Sequence, residues 1–270
     1  MDPQPEQPVE LRLSLEELAL IFSLLGQAPL AKTMLTSELG EVNADELRGR
    51  VMAASNTLLA KGVFRFEGEK LELTPAYAGV LGPMVNADYA LQCTTFGVDR
   101  PERSQMFYVQ GDRIVEHHAY YGLYHSLRAR DSLSAAVDAV ETFFQLPYLD
   151  GFQAMPFVLN REQALEVRLL DDTEVSELRD RLEHQGVDAE TAARFAEDLG
   201  RPQEWAAVLR LQVVPNEGVL AEMGYQTLTA PSGRTWLITV DGDNGDTALN
   251  IRPAERDAIR ELTYSLFATG

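Results

Sequence analysis

Residues 240–251 read VDGDNGDTALNI, and the folding of that stretch decides the architecture. Asp241, Asp243, Asn244 and Asp246 crowd together as the ligands of a calcium loop do. An EF-hand loop needs oxygen ligands at its first, third and fifth positions, glycine at the sixth and a bidentate glutamate at the twelfth. Counted from Asp241, the fifth residue is Gly245, the sixth is Asp246 and the twelfth is Arg252, so a cation stands where an anion must close the site. The flanks, RTWLITV (234–240) and TALNI (247–251), carry the β-branched and aromatic residues of strands, not the helices of an EF-hand. Asn244-Gly245 between them both accept positive φ and suit a two-residue hairpin turn. The stretch is read as a hairpin with an acidic tip.

After the hairpin, Arg252-Pro253 leads into ERDAIRELTYSLF, whose Ile259, Leu262, Leu266 and Phe267 share one helical face. The same succession occurs earlier, in residues 113–144: strand, glycine turn, strand, then a helix with Val137, Val140 and Phe144. Upstream, YVQGDRIV (108–115) answers LTAPSGRTWLI (228–238), each a turn between strands, and DYALQCTTF (88–96) answers EWAAVLRLQVV (204–214). LLAKGV (58–63) and LEHQGV (182–187) are helix ends stopped by glycine. Ser14 with Glu17, and Asn160 with Gln163, have capping-box spacing. The expected fold is therefore α+β: a duplicated unit giving a pseudo-two-fold antiparallel sheet flanked by helical bundles. Residues 1–8 are expected to be a flexible acidic tail, 9–148 the first half with winged-helix-like helices, and 149–270 the second half, packed with the first as one body.

The chain has 270 residues, enough to bury a large core without staples. Its net charge is −19, a field that repels nucleic-acid phosphates and anionic lipid. The one cysteine, Cys93, excludes an internal disulfide, and the start MDPQPEQPVE lacks the basic and apolar regions of a signal peptide. The expected location is the cytoplasm, with no membrane contact.

No sequence pattern points to an enzyme: there is no Gly-x-Ser-x-Gly elbow, no phosphate-binding Gly-rich loop and no His-Glu-x-x-His. Cys93 lies in an apolar strand, where a buried thiol is inert. His117 and His118 are adjacent on a strand and point to opposite faces. His125 comes within reach of His117 if the turn at Gly122 is tight, yet two histidines make a poor zinc site. Neither a metal nor a cofactor is expected. The aromatic run His117–Tyr124 is expected to serve core or cross-strand packing rather than to form a binding cage. Residues 14–74 also read as a winged helix: helices Leu15–Leu25, Ala31–Glu38 and Ala44–Lys61, then a wing in VFRFEGEKLEL. A DNA reader concentrates positive charge on its third helix and wing. Here the third helix offers Arg48, Arg50, Ser55, Asn56 and Lys61 but also Asp45 and Glu46, and the wing carries Glu67, Glu69 and Glu72 against Arg65 and Lys70. Nucleic acid is not the expected partner, and a ligand-sensing winged-helix regulator is the alternative.

Over roughly residues 10–267 the sequence resembles the ESX (type VII) secretion-associated chaperones of the EspG type. The likeness rests on SLEELALIFSLLG, DELRGRVMAASNTLLAKGV, LRDRLEHQGVDAETAARFAEDLGRP and GRTWLITVDGDNGDTALNIRPAERDAIRELTYSLF. The chain departs from that family's Gly-x-Thr-x-Glu-Arg helix opening, having Glu41-Val-Asn-Ala-Asp-Glu-Leu-Arg48. The resemblance implies binding rather than catalysis: a cytosolic chaperone that shields the apolar tip of a helical secretion substrate. It nominates the loop Gly97–Arg103 as the contact, with Asp99, Arg100, Glu102 and Arg103 as the partner-binding residues.

Overall fold

The computed structural model describes residues 10–40, 43–98, 100–163, 175–214, 218–241 and 248–268, with the backbone alone at 213–214, 218–219 and 222–223. The expected tail lies outside the described residues. The chain forms two compact units. The first runs to Ala90 and includes Gln105–Ala136; the second comprises Leu91–Ser104 and the chain from Val137 onward.

The first unit opens with strand β1 (Glu10–Ser14), whose alternation buries Leu11 and Leu13 and leaves Glu10 and Arg12 outside. Ser14 ends the strand and starts helix α1 (Leu15–Leu24) with the expected capping box. The Glu17 N–H donates to Ser14 Oγ at 3.2 Å and the Ser14 N–H to Glu17 Oε2 at 2.8 Å, satisfying helix-end donors reciprocally. Helices α2 (Ala28–Leu39) and α3 (Ala44–Ala60) follow, the second capped by Asn43 Oδ1. Gly62, at φ 69°, turns the chain so that the Val63 N–H reaches Leu58 O at 3.0 Å and α3 stops. The hairpin β2 (Phe64–Glu67) and β3 (Lys70–Leu73) then leads to α4 (Pro75–Val85). Helix, helix, helix, wing is the order read from residues 14–74. Strands β6 (Arg113–Tyr120) and β7 (Tyr124–Arg130) complete this unit with the later part of β5 (Arg100–Gln110). Its sheet order is β1-β7-β6-β5, all antiparallel. Leu13, Leu18, Ile21, Leu58, Val115 and Leu127 form its core; burying each such side chain contributes roughly 1.5–3 kcal/mol.

The second unit contains β4 (Tyr89–Gly97), the start of β5, α5 (Leu133–Phe144), β8 (Phe157–Asn160), α6 (Val175–His184) and α7 (Ala189–Gly200). The long strands β9 (Glu204–Val214) and β10 (Gly218–Thr229) follow, then β11 (Thr235–Asp241), β12 (Ala248–Pro253) and α8 (Arg256–Ala268). The sheet order here is β4-β9-β10-β11-β12-β8. β11 and β12 pair antiparallel from Trp236↔Pro253 to Asp241↔Ala248, a register equidistant from Asn244-Gly245. The strands of the expected hairpin are thus in place, while its tip, 242–247, lies outside the described residues. Asn160 and Gln163 exchange the reciprocal backbone hydrogen bonds of their capping box, at 2.8 and 2.9 Å. Phe157, Phe195 and Trp236 pack edge to face, with centroids 5.3 and 5.1 Å apart, at the centre of this unit's core.

The fold is α+β with a large antiparallel sheet. One topological rule recurs along the chain. The last strand of the run β4–β7 pairs with β1, the strand that precedes the helices, and the last strand of the run β9–β12 pairs with β8.

Candidate functional site

Strand β4 alternates strictly: Tyr89, Leu91, Cys93 and Thr95 point inward and are buried. The opposite set ends in Phe96, 46 % exposed, and just past the strand Val98 is 75 % exposed. Phe96 stacks on Trp205 of β9, with centroids 6.4 Å apart and planes at 14°. Gly97 is required between them, because a Cβ there would stand 2.8 Å from Gln203 O, a backbone atom that cannot swing aside.

The residues nominated from the sequence sit beside this apolar pair. Asp99 lies outside the described residues. Arg100, Glu102 and Arg103 correct the reading as a loop: β5 begins at Arg100, so all three are strand residues. The physical reason is visible at Arg103. Its Nε donates to Thr95 Oγ1 at 3.2 Å, a terminal nitrogen donates to Phe143 O at 3.3 Å, and the guanidinium lies 5.1 Å from the Phe143 ring centroid. These contacts tie the start of β5 to β4 and α5. Arg100 pairs with Glu204 at 3.4 Å, and Glu102 is exposed. The site therefore combines an exposed apolar pair, an ion pair at its margin and an anchored arginine. It presents apolar side chains with a charged margin to solvent. Sequence reasoning named the charged residues and missed Phe96, Val98 and Trp205; the period-two alternation of β4 was the signal for Phe96.

The histidines form a different arrangement. His117 Nε2 and His125 Nδ1 are 2.9 Å apart, and the Tyr108 hydroxyl lies 3.4 Å from His117 Nδ1. Burial, reinforced by the neighbouring histidines, pushes His117 down to about 3, and burial lowers His125 as well. Both rings are neutral near pH 7 and share one proton across their hydrogen bond. Among the described residues no group of three His, Cys, Asp or Glu side chains could hold a metal ion. His118 instead meets Glu116 Oε1 at 2.7 Å; burial pushes the Glu116 carboxyl up, but His118 and Arg130 outweigh it and leave the carboxyl lowered.

The aromatic run packs as expected at His117, which is buried against Tyr108 and His125, but its tyrosines are more exposed. Tyr120 and Tyr124 face each other across the β6–β7 ladder, yet they are 52 % and 65 % exposed, and Tyr121 at the turn is 91 % exposed. The turn takes φ 54° at Tyr121 and 66° at Gly122, which lifts these rings off the core side. Tyr120 and Tyr124 border a groove of about 850 Å³ that also meets β1, α1 and α3.

Four cations of the winged-helix region stand beside carboxylates. Arg50 binds Glu16 and Glu46, Lys61 binds Glu17, Arg48 stands 3.7 Å from Asp45, and Arg65 stands 3.5 Å from Glu67. Among the described residues no helix is long and apolar enough to cross a membrane.

In fold the chain is similar to the type VII secretion system chaperone EspG5 of Mycobacterium tuberculosis, solved in complex with the PE25–PPE41 dimer. The TM-score is 0.68, at 14 % sequence identity, over 97 % of this chain and 96 % of that one. That likeness is one of fold. No curated protein matches the sequence. Residues 10–263 match the family described as Uncharacterised protein YfjC, and the chain belongs to that family.

Proposed function

We propose that this protein is a cytosolic protein-binding chaperone or adaptor that receives a helical partner of the secretion-substrate kind at the β4–β5 margin. The observation that carries the reading is the exposure of Phe96 and Val98 beside Arg100, Glu102 and Arg103 on a strongly acidic chain. Apolar side chains held in solvent by a rigid strand end, with an ion pair at the rim, are what a protein interface presents. The fold of EspG5, a chaperone solved with a protein dimer, supports the same class of function. Asp99 belongs to the proposed contact by its place in the sequence. The matching placement of β1 and β8 supports descent from a duplicated unit.

The experiment is capture of the tagged protein's partner from its native cytosol at moderate salt, followed by measurement of the binary affinity. A small helix-rich protein in near-stoichiometric amount, whose affinity falls at least tenfold with Val98→Asp, is the expected result. A partner that binds Val98→Asp and Phe96→Ser as well as the wild type overturns the site, and capture of nucleic acid overturns the function.

A winged-helix regulator is the second reading, favoured by the order α1, α2, α3, β2, β3. Its cations are largely neutralised by carboxylates, which weakens phosphate binding. Duplex DNA bound tightly at physiological salt, and lost in Arg48→Ala with Arg50→Ala, would establish it instead.

A further inference from the structure

The turn between β6 and β7 carries a backbone cost that packing within the first unit does not offset. The Leu123 N–H donates to Tyr120 O at 3.1 Å, and the two residues between them, Tyr121 and Gly122, take φ 54° and 66°. Positive φ at both central positions suits Asn-Gly, and a tyrosine at the first of them is strained. Burial of the ring would compensate, but Tyr121 is 91 % exposed. Strained backbone of this kind gathers at binding sites, where the conformation is kept for what it presents.

What it presents is aromatic. Tyr120 and Tyr124 stand opposite each other at the end of the ladder, and Leu123 beside them is exposed as well. The turn is held from two sides: the Leu15 N–H donates to Leu123 O at 2.9 Å, and Tyr120 stacks on His118 with centroids 6.0 Å apart. An anion lies against it. A Cβ at Gly122 would collide with the Glu38 carboxylate of α2. Glu38 is exposed, and among the described residues no ion pair or hydrogen bond engages it. Its charge reaches the His125 ring, which burial keeps neutral, so the carboxylate is not neutralised from below.

We propose that the tyrosine turn and Glu38 receive an arginine side chain from a basic segment of a partner protein. A guanidinium stacks on tyrosine rings by cation–π attraction and offers a planar fork of N–H donors to a carboxylate. Lysine meets the rings as well but lacks the fork, so arginine fits both halves of the arrangement. The chain's net charge of −19 draws a basic segment and repels an acidic one. The same charge disfavours a second copy of this chain as the occupant. Leu123 gives an apolar neighbour of the arginine a place to rest. These residues differ from those of the β4–β5 contact, so this inference holds or fails separately.

The test titrates the full chain, isotope-labelled, with the end-capped peptide Gly-Leu-Arg-Leu-Gly and with its citrulline counterpart, which keeps the shape and loses the charge. The arginine peptide should move the ring resonances of Tyr120, Tyr121 and Tyr124 along one binding curve, and bind about fivefold more tightly than the citrulline peptide. Glu38→Gln should weaken it about twofold or more, with the difference from wild type shrinking at high salt. Tyr121→Asn removes the ring and relieves the turn, so it should raise the melting temperature while weakening the peptide about twofold or more. A tyrosine kept for structure alone would not give that pair of effects. The proposal is overturned by tyrosine resonances that stay still up to about 10 mM peptide, by equal binding of the citrulline peptide, or by Glu38→Gln binding as the wild type does. A Tyr121→Asn chain less stable than wild type overturns it as well. A wild-type dimer made monomeric by Tyr121→Asn would assign the turn to a second copy, and a single-stranded oligonucleotide that displaces the peptide would assign it to nucleic acid; either result overturns it.

Discussion

Replacing Asp198 by alanine should destabilise the second unit severely, because one buried carboxylate there serves two partners. Asp198, at 2 % exposure on α7, accepts from Arg234 Nε at 2.9 Å and from a terminal Arg234 nitrogen at 2.6 Å. It also accepts the indole N–H of fully buried Trp236 at 2.8 Å. Removing one partner of a buried ion pair costs about 3–5 kcal/mol. Arg234 is 22 % exposed and keeps Glu197 at 2.7 Å, which places the ion-pair loss at the lower end of that range. The Trp236 N–H, left without an acceptor, adds about 1–3 kcal/mol. The expected total is ~4 kcal/mol, a fall in melting temperature of roughly 10 °C for a chain of this size. Denaturant unfolding followed by tryptophan fluorescence measures it. Asp198→Asn, which keeps an acceptor for the indole, should recover about 1 kcal/mol or more. A double-mutant cycle with Arg234→Ala should give a coupling above ~1 kcal/mol. An Asp198→Ala cost below ~1 kcal/mol, or strictly additive effects in the cycle, would refute the reasoning.

Two further outcomes follow from the geometry. The His117–His125 pair makes stability depend on pH with a definite sign: His117 is lowered from 6.5 to about 3 in the folded chain, so between those values the unfolded chain binds more protons. Stability is complete above pH 6.5 and falls as the pH drops towards 3; His117→Phe should flatten that part of the profile in unfolding titrations, and an unchanged slope would reject it. Gly97→Ala drives a Cβ to 2.8 Å from Gln203 O, so it should destabilise by about 1–3 kcal/mol and weaken partner binding at Phe96; a melting temperature within a degree of wild type would contradict the contact.

Local chemistry was legible in the sequence. The capping boxes at Ser14 and Asn160, the stop of α3 at Gly62 and the pairing of strands around Asn244-Gly245 each depend on residues a few positions apart. The apolar runs at 88–96 and 204–214 marked β4 and β9 for the same reason, since strand preference is a property of a short stretch. The candidate site was legible only in part. The charges at Arg100, Glu102 and Arg103 announced themselves, but the sequence alone left them in a loop, because their incorporation into β5 depends on Thr95 and on Phe143 of α5.

Composition, charge, capping and periodicity were thus determined by the sequence itself, which is enough to give an acidic α+β chain and the order of its elements. Tertiary structure alone decided that β1 lies beside β7 and β8 beside β12, that Asp198 serves Trp236 and Arg234, and that Tyr120, Tyr121 and Tyr124 stay in solvent. The reason is distance along the chain. Propensity and capping act within a turn or two of the backbone, whereas the partner of Glu10 is Arg128, and nothing local to either residue specifies the other.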